Sequence, residues 1–116
     1  EACGLLVGTR GDPSVVRSVR RAENDAADPR RAYEIAPEAL LAHLEAVDAD
    51  GEEVVGFYHS HPRGPPEPSA TDHRTAAWDD RSYLIVALAD EGHPFVGSWR
   101  WRAEEGAFED EIVRIG

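Results

Sequence analysis

The chain has 116 residues, 41% of them hydrophobic and 30% charged, and a formal net charge of −11. That length suits one domain around one core, and the composition is that of a globular protein rather than a disordered or collagenous one. The negative charge argues against a nucleic-acid ligand, and the longest apolar run, Leu84 to Ala89, is far too short to span a bilayer.

In chain order, residues 1–8 read as a short buried strand that opens with a carboxylate, and Gly11-Asp12-Pro13 is a turn. Val15 to Ala22 alternates loosely, which predicts a half-exposed strand with Arg17, Arg20 and Arg21 towards solvent. Asn24 to Arg31 is polar and irregular, and Tyr33-Glu34-Ile35 is a brief extended piece. Pro37 suits the first turn of a helix whose apolar side is Leu40, Leu41, Leu44 and Val47, and Asp50-Gly51 ends it. His43 on this helix is a surface or boundary residue. Glu53 to Tyr58 predicts a strand entering the core. After a proline-rich loop, a helix of about ten residues starts at Ser69. The last third reads as a meander: strands over Tyr83–Ala89, Phe95–Arg102 and Phe108–Ile115, with turns at Asp90–Pro94 and Ala103–Gly106. Trp99 and Trp101 fall on one face of the middle strand, Arg100 and Arg102 on the other. His93 is a turn residue. Together the elements predict an α/β (α+β) domain over residues 1–116, with a mixed, curved sheet flanked by at least two helices.

Charge is spread unevenly. Residues 1–31 carry six Arg against five acids, and residues 32–116 carry six Arg against eighteen acids. Arg17, Arg20, Arg21, Arg30 and Arg31 are therefore expected to help capture an acidic partner, beside the blander reading of solvated arginines on an edge strand. Cys3 is the one cysteine and cannot form an internal disulfide, in keeping with a reducing, cytoplasmic location. The chain opens on Glu1 and contains no Met, so its natural start is expected to lie upstream.

The stretch from His59 to Asp72 carries the chemistry. Side chains at i and i+2 of a strand share a face, so His59 and His61 project together and can grip one metal ion. Pro62, Pro65, Pro66 and Pro68 forbid regular structure and force a stiff loop. Ser69 is a good N-cap, and Asp72 in the first helical turn swings a carboxylate back towards the histidines. Two His and one Asp make three protein ligands with a fourth position open for water, the pattern of a catalytic zinc site. Ser69-Ala70-Thr71-Asp72 is equally a plain capping box. His73 would point about 100° away from Asp72 on a helix and is left out of the site.

The motif resembles that of the JAMM metalloproteases, or MPN-plus domains. The family has a glutamate upstream, then H-[ST]-H-P, then S-x-x-D with ten residues between the second His and the Asp. This chain has Glu1 in E-x-C-G-L-L-x-G, the run G-F-Y-H-S-H-P, and Pro62 to Thr71 in the gap. The likeness covers nearly the whole chain, but the helix that usually precedes the glutamate is absent. It implies a JAMM/MPN, cytidine-deaminase-like fold with one zinc per chain on His59, His61 and Asp72. It further implies that Glu1 is the general base towards zinc-activated water and the proton donor to the leaving amine, and that Ser69 steadies the oxyanion. Ser60 points to the opposite face, and Cys3 is a small buried side chain.

Family members hydrolyse amide bonds after the C-terminal glycine of ubiquitin-like proteins. The short connections at Val47–Glu53 and Asp72–Tyr83 leave no room for the deubiquitinase insertions, so the minimal prokaryotic type is implied. Its substrates are small β-grasp modifiers or sulfur carriers, without nucleic acid or membrane. The alternatives are a non-catalytic MPN-type scaffold or protein-interaction module, whose members typically lack the ligands kept here, and a zinc deaminase, whose P-C-x-x-C motif a single Cys excludes.

Overall fold

The computed structural model describes residues 2–30, 32–62, 65–88 and 95–115. Cys3-Gly-Leu-Leu-Val-Gly-Thr9 is apolar up to its last residue, and it forms β1 (Cys3–Thr9), buried along all but that residue. β2 (Val15–Ala22) turns back along it as an exposed edge strand. The side chain of Asn24 helps hold the polar segment that follows. Asn24 accepts from the N–H groups of Ala26 and Glu34 and donates to the Ala32 carbonyl. No strand forms at Tyr33-Glu34-Ile35, because this backbone bonds to Asn24 and Asp25 instead of to a sheet.

α1 (Pro37–Ala49) begins with proline in its first turn and ends at Asp50, where Gly51 takes a φ of 71°. Val47 is buried and Leu40 and Leu44 pack on the core, but Leu41 is 56% exposed, so the apolar side is narrower than the leucine pattern predicts. β3 (Glu53–His61) carries the two histidines. α2 (Ala70–Thr75) has six residues rather than about ten. It stops because Ala76 turns extended, which brings Trp78 edge-on to Phe57 at 5.4 Å between ring centroids. β4 (Ser82–Ala87), β5 (Phe95–Arg102) and β6 (Ala107–Glu111) form the meander. The last strand ends at Glu111 instead of Ile115, and Ile112 is 82% exposed. Among the described residues its β-branched side chains find no partner strand, and propensity alone does not hold a strand without one. The turn expected at Asp90–Pro94, with His93, lies outside the described residues.

The sheet order is β2-β1-β3-β4-β5-β6, with β3 and β4 parallel and every other pair antiparallel. The described residues form a single α+β domain with a mixed six-stranded sheet and two helices. Bulges in both ladders of β1 bend the sheet there. Leu5, Val7, Val47, Val54, Phe57, Tyr83 and Trp101 form the core, with Trp78 and Phe108 against it. Among the described residues no helix is long and apolar enough to cross a membrane.

The parallel pair matters for the site. It aligns His59 with Ile85 and His61 with Ala87, so both histidines sit at the carboxyl ends of two central strands. Gly56 allows that pairing, because a Cβ there would collide with the Ser82 carbonyl. Gly56→Ala should therefore cost about 1–3 kcal/mol by overpacking, read as a lower urea midpoint at unchanged slope. An unchanged midpoint would show that β3 and β4 can separate without loss.

Candidate metal centre

His59 and His61 are 1% and 7% exposed, and their rings meet in the interior above β3. Their Nε2 atoms lie 3.1 Å apart, and each lies 3.3 Å from Oδ2 of Asp72. Asp72 gets there through its helix. Ser69 Oγ accepts the Asp72 N–H at 3.1 Å, and the Ser69 N–H donates to Asp72 Oδ2 at 2.8 Å. The capping box and the convergence on the histidines are one arrangement, sharing one carboxylate oxygen. Accepting from Asp72 uses a lone pair of Ser69 Oγ and not its hydrogen, so the hydroxyl keeps its capacity to donate.

The tautomer of His61 follows from its other nitrogen. Nδ1 lies 3.1 Å from the Pro65 carbonyl, which only accepts, so Nδ1 carries the hydrogen and Nε2 faces inward as a lone pair. His59 stacks on Tyr33 at 4.5 Å between ring centroids, and its Nδ1 is buried without a hydrogen-bond partner among the described residues. The lone pair of His61 and a carboxylate oxygen thus converge with His59 Nε2 on a single point. These donors fit a small divalent cation. A tetrahedral ion with bonds of about 2.0–2.1 Å spaces its ligand atoms by about 3.3 Å, close to the observed 3.1, 3.3 and 3.3 Å. Two imidazoles and one carboxylate are a donor set that suits zinc. His59, His61 and Asp72 are the group of this kind among the described residues.

Burial alone would raise the Asp72 pKa. The hydrogen bond to His59, the His59 charge and the Ser69 hydrogen bonds outweigh it, lowering the pKa from 3.8 to about 2. Asp72 is therefore an anion across the neutral range, as a ligand must be.

The other expected residues divide clearly. Ser60 turns to the far face, where its Oγ accepts the Ala2 N–H at 2.8 Å. Cys3 is buried opposite His59, with Sγ 3.6 Å from the Ala22 carbonyl. His73 packs its ring edge-on to Phe108, away from the donor cluster. His43 accepts from Arg20 Nε at 2.9 Å, and Arg17 contacts Glu52 at 3.8 Å, so both arginines are engaged at the sheet edge. Glu1 and Arg31 lie outside the described residues. The stack of Tyr33 on His59 and the Pro65 carbonyl on His61 had no sequence signal, since both depend on how irregular segments fold back. A cavity of about 520 Å³ opens beside His59 and Asp72, lined also by Tyr33, Ile35, Trp78 and Phe108.

Residues 1–102 match the family of prokaryotic homologs of the JAB domain. A desampylase from Haloferax volcanii is 47% identical over 75% of this chain and 62% of its own length. A probable TtuB-protein conjugate cleaving protease from Thermus thermophilus is 38% identical over 67% of this chain and 50% of its own length. The chain thus spans about half to three-fifths of these two relatives. A CysO-cysteine peptidase from Mycobacterium tuberculosis is 31% identical over 99% of this chain and 76% of its own length. In three dimensions, the solution structure of a protein from Desulfitobacterium hafniense superposes with a TM-score of 0.82 at 33% identity, over 95% of this chain and 74% of that one.

The lowered Asp72 pKa has a measurable consequence in the metal-free protein. The folded value, about 2, lies below the ordinary 3.8, so ionised Asp72 stabilises the fold above about pH 4. That contribution is lost as the pH falls towards 2. Urea unfolding of wild type and Asp72→Asn should differ by an amount that shrinks on the order of 2 kcal/mol from about pH 6 to about pH 2. A difference independent of pH would contradict the pairing.

Proposed function

The chain belongs to the family of prokaryotic homologs of the JAB domain, and on that premise we propose that it is a zinc-dependent peptidase. Its substrate is a small ubiquitin-like or sulfur-carrier protein, and the bond cut is the amide after that protein's C-terminal glycine. The observation that carries the proposal is the buried meeting of His59 Nε2, His61 Nε2 and Asp72 Oδ2 within 3.1–3.3 Å of one another. The names of the relatives support the substrate class: a desampylase, a probable TtuB-protein conjugate cleaving protease and a CysO-cysteine peptidase. Residues 1–116 form one such catalytic domain.

His59, His61 and Asp72 would hold the zinc. When bound, the ion supplies Lewis-acid polarisation and a water acidic enough to ionise near neutral pH. The chain supplies the rest. The Pro65 carbonyl keeps the His61 hydrogen on Nδ1, which reserves Nε2 for the ion. Ser69 donates its hydroxyl hydrogen to the scissile carbonyl oxygen as negative charge builds there. Glu1 accepts a proton from the attacking water on its carboxylate and delivers it to the departing amine nitrogen. Ala2, the next residue, is bonded both ways to Ser60, between the two histidines, which supports this role for Glu1.

Kinetics on a β-grasp carrier extended beyond its terminal glycine separate these roles. Asp72→Ala should lose metal and activity together. Ser69→Ala should keep metal, lose about 10²–10³-fold in kcat and about 1 kcal/mol of stability. Glu1→Gln should keep metal and lose roughly 10²–10⁴-fold. Near-normal kcat in metal-loaded Glu1→Gln would assign the base to another residue, and metal binding without any hydrolysis of carrier fusions would point to the scaffold alternative.

A further inference from the structure

An imidazole ring turns easily about its outer torsion, so a buried ligand histidine needs a partner to fix its plane. For His61 that partner is the Pro65 carbonyl at 3.1 Å. The carbonyl sits in a loop that cannot easily fasten itself. Pro62, Pro65, Pro66 and Pro68 have no N–H to donate, so these residues can be anchored only through carbonyls that accept from elsewhere. The Pro66 carbonyl does so, taking the indole Nε1–H of Trp99 at 3.0 Å. Proline fixes its own φ, so a carbonyl held at Pro66 leaves the adjoining Pro65 carbonyl little freedom.

Trp99 is well placed as an anchor. It lies on β5 in register with Tyr83 of β4, which in turn pairs with Phe57 on the histidine strand. Two residues before it on the same face, Gly97 leaves the gap that the loop occupies. A Cβ at Gly97 would collide with the Pro66 carbonyl and stand 3.2 Å from Trp99 Nε1. The donor and the gap are separate features of β5, and both serve the same carbonyl.

We propose that Trp99 and Gly97 are positioning residues for the metal centre, holding the Pro65–Pro66 carbonyls so that the His61 ring stays aimed at the ion. The proposal rests on His59, His61 and Asp72 being metal ligands, and it extends the support of the site to β5, two strands away from β3.

Cobalt(II) titration of the whole chain tests it, because the ion's visible absorption reports both affinity and ligand geometry. Trp99→Phe keeps an aromatic ring and removes the donor. Gly97→Ala keeps the donor and fills the gap. Each should weaken cobalt binding about tenfold and alter the absorption bands. Val47→Ala, a cavity in the core beneath α1, should lower the melting temperature but leave affinity and spectrum unchanged. Wild-type affinity and spectrum in folded Trp99→Phe and Gly97→Ala would overturn the proposal. A wild-type protein that binds no cobalt would overturn the metal reading instead. In that event the His61 Nδ1–H resonance of the metal-free protein still tests the anchor: it should lose protection from exchange in Trp99→Phe, and retained protection would overturn it.

Discussion

One oxygen atom, Oδ2 of Asp72, joins the local structure of this protein to its chemistry. It accepts the Ser69 N–H that starts α2, and it faces the two imidazoles of β3. Burying a carboxylate is costly unless it is paired and hydrogen-bonded, and here both conditions are met. Without the cap, α2 would be a six-residue helix with nothing to fix its start, and too short to be stable by itself. Without the histidines, the buried charge would lack its counterpart. The helix start and the donor cluster stabilise one another, which is why a short helix can aim a side chain into the interior.

The rest of the fold supplies the frame. β3 runs between β1 and β4 in the middle of the sheet, with His59 in register with Cys3 on one side and Ile85 on the other, and His61 in register with Ala87 of β4. Ile85, fully buried, stands beside His59 in register. Tyr33 covers the ring from the long connection before α1, and the Leu88 N–H bonds the His61 carbonyl just past the end of β4. The proline loop meets His61 through the Pro65 carbonyl. Stiffness is its contribution: residues whose φ is already fixed lose little entropy on ordering, so the loop can carry carbonyls to fixed positions.

Much of this was legible in the sequence because the informative parts obey short-range rules. The period of two in a strand puts His59 and His61 on one face and Ser60 on the other. The spacing of Ser69 and Asp72 announces a capped helix, and β2 and β5 begin and end where their patterns say. The differences between pattern and structure share a cause: local pattern does not specify tertiary contact. Leucine spacing marks Leu41 as apolar-side, yet it is 56% exposed. Ile112 to Ile115 has strand composition but no neighbouring strand among the described residues. α2 ends early because the core claims Trp78. Tyr33 and Trp99 gave no sign of their contacts, since both reach the site through segments far away in sequence. Glu1 differs in kind: the role proposed for it comes from family resemblance, and no periodicity or spacing within this chain would single it out.

The central claim is that two imidazoles and one carboxylate of this chain bind a zinc ion. Anomalous diffraction at the zinc absorption edge, from crystals of protein purified without chelator and supplied with zinc, addresses it directly. One strong peak per chain is expected, bounded by His59 Nε2, His61 Nε2 and Asp72 Oδ2. A map with no peak there, or with zinc only at surface carboxylates, would contradict it.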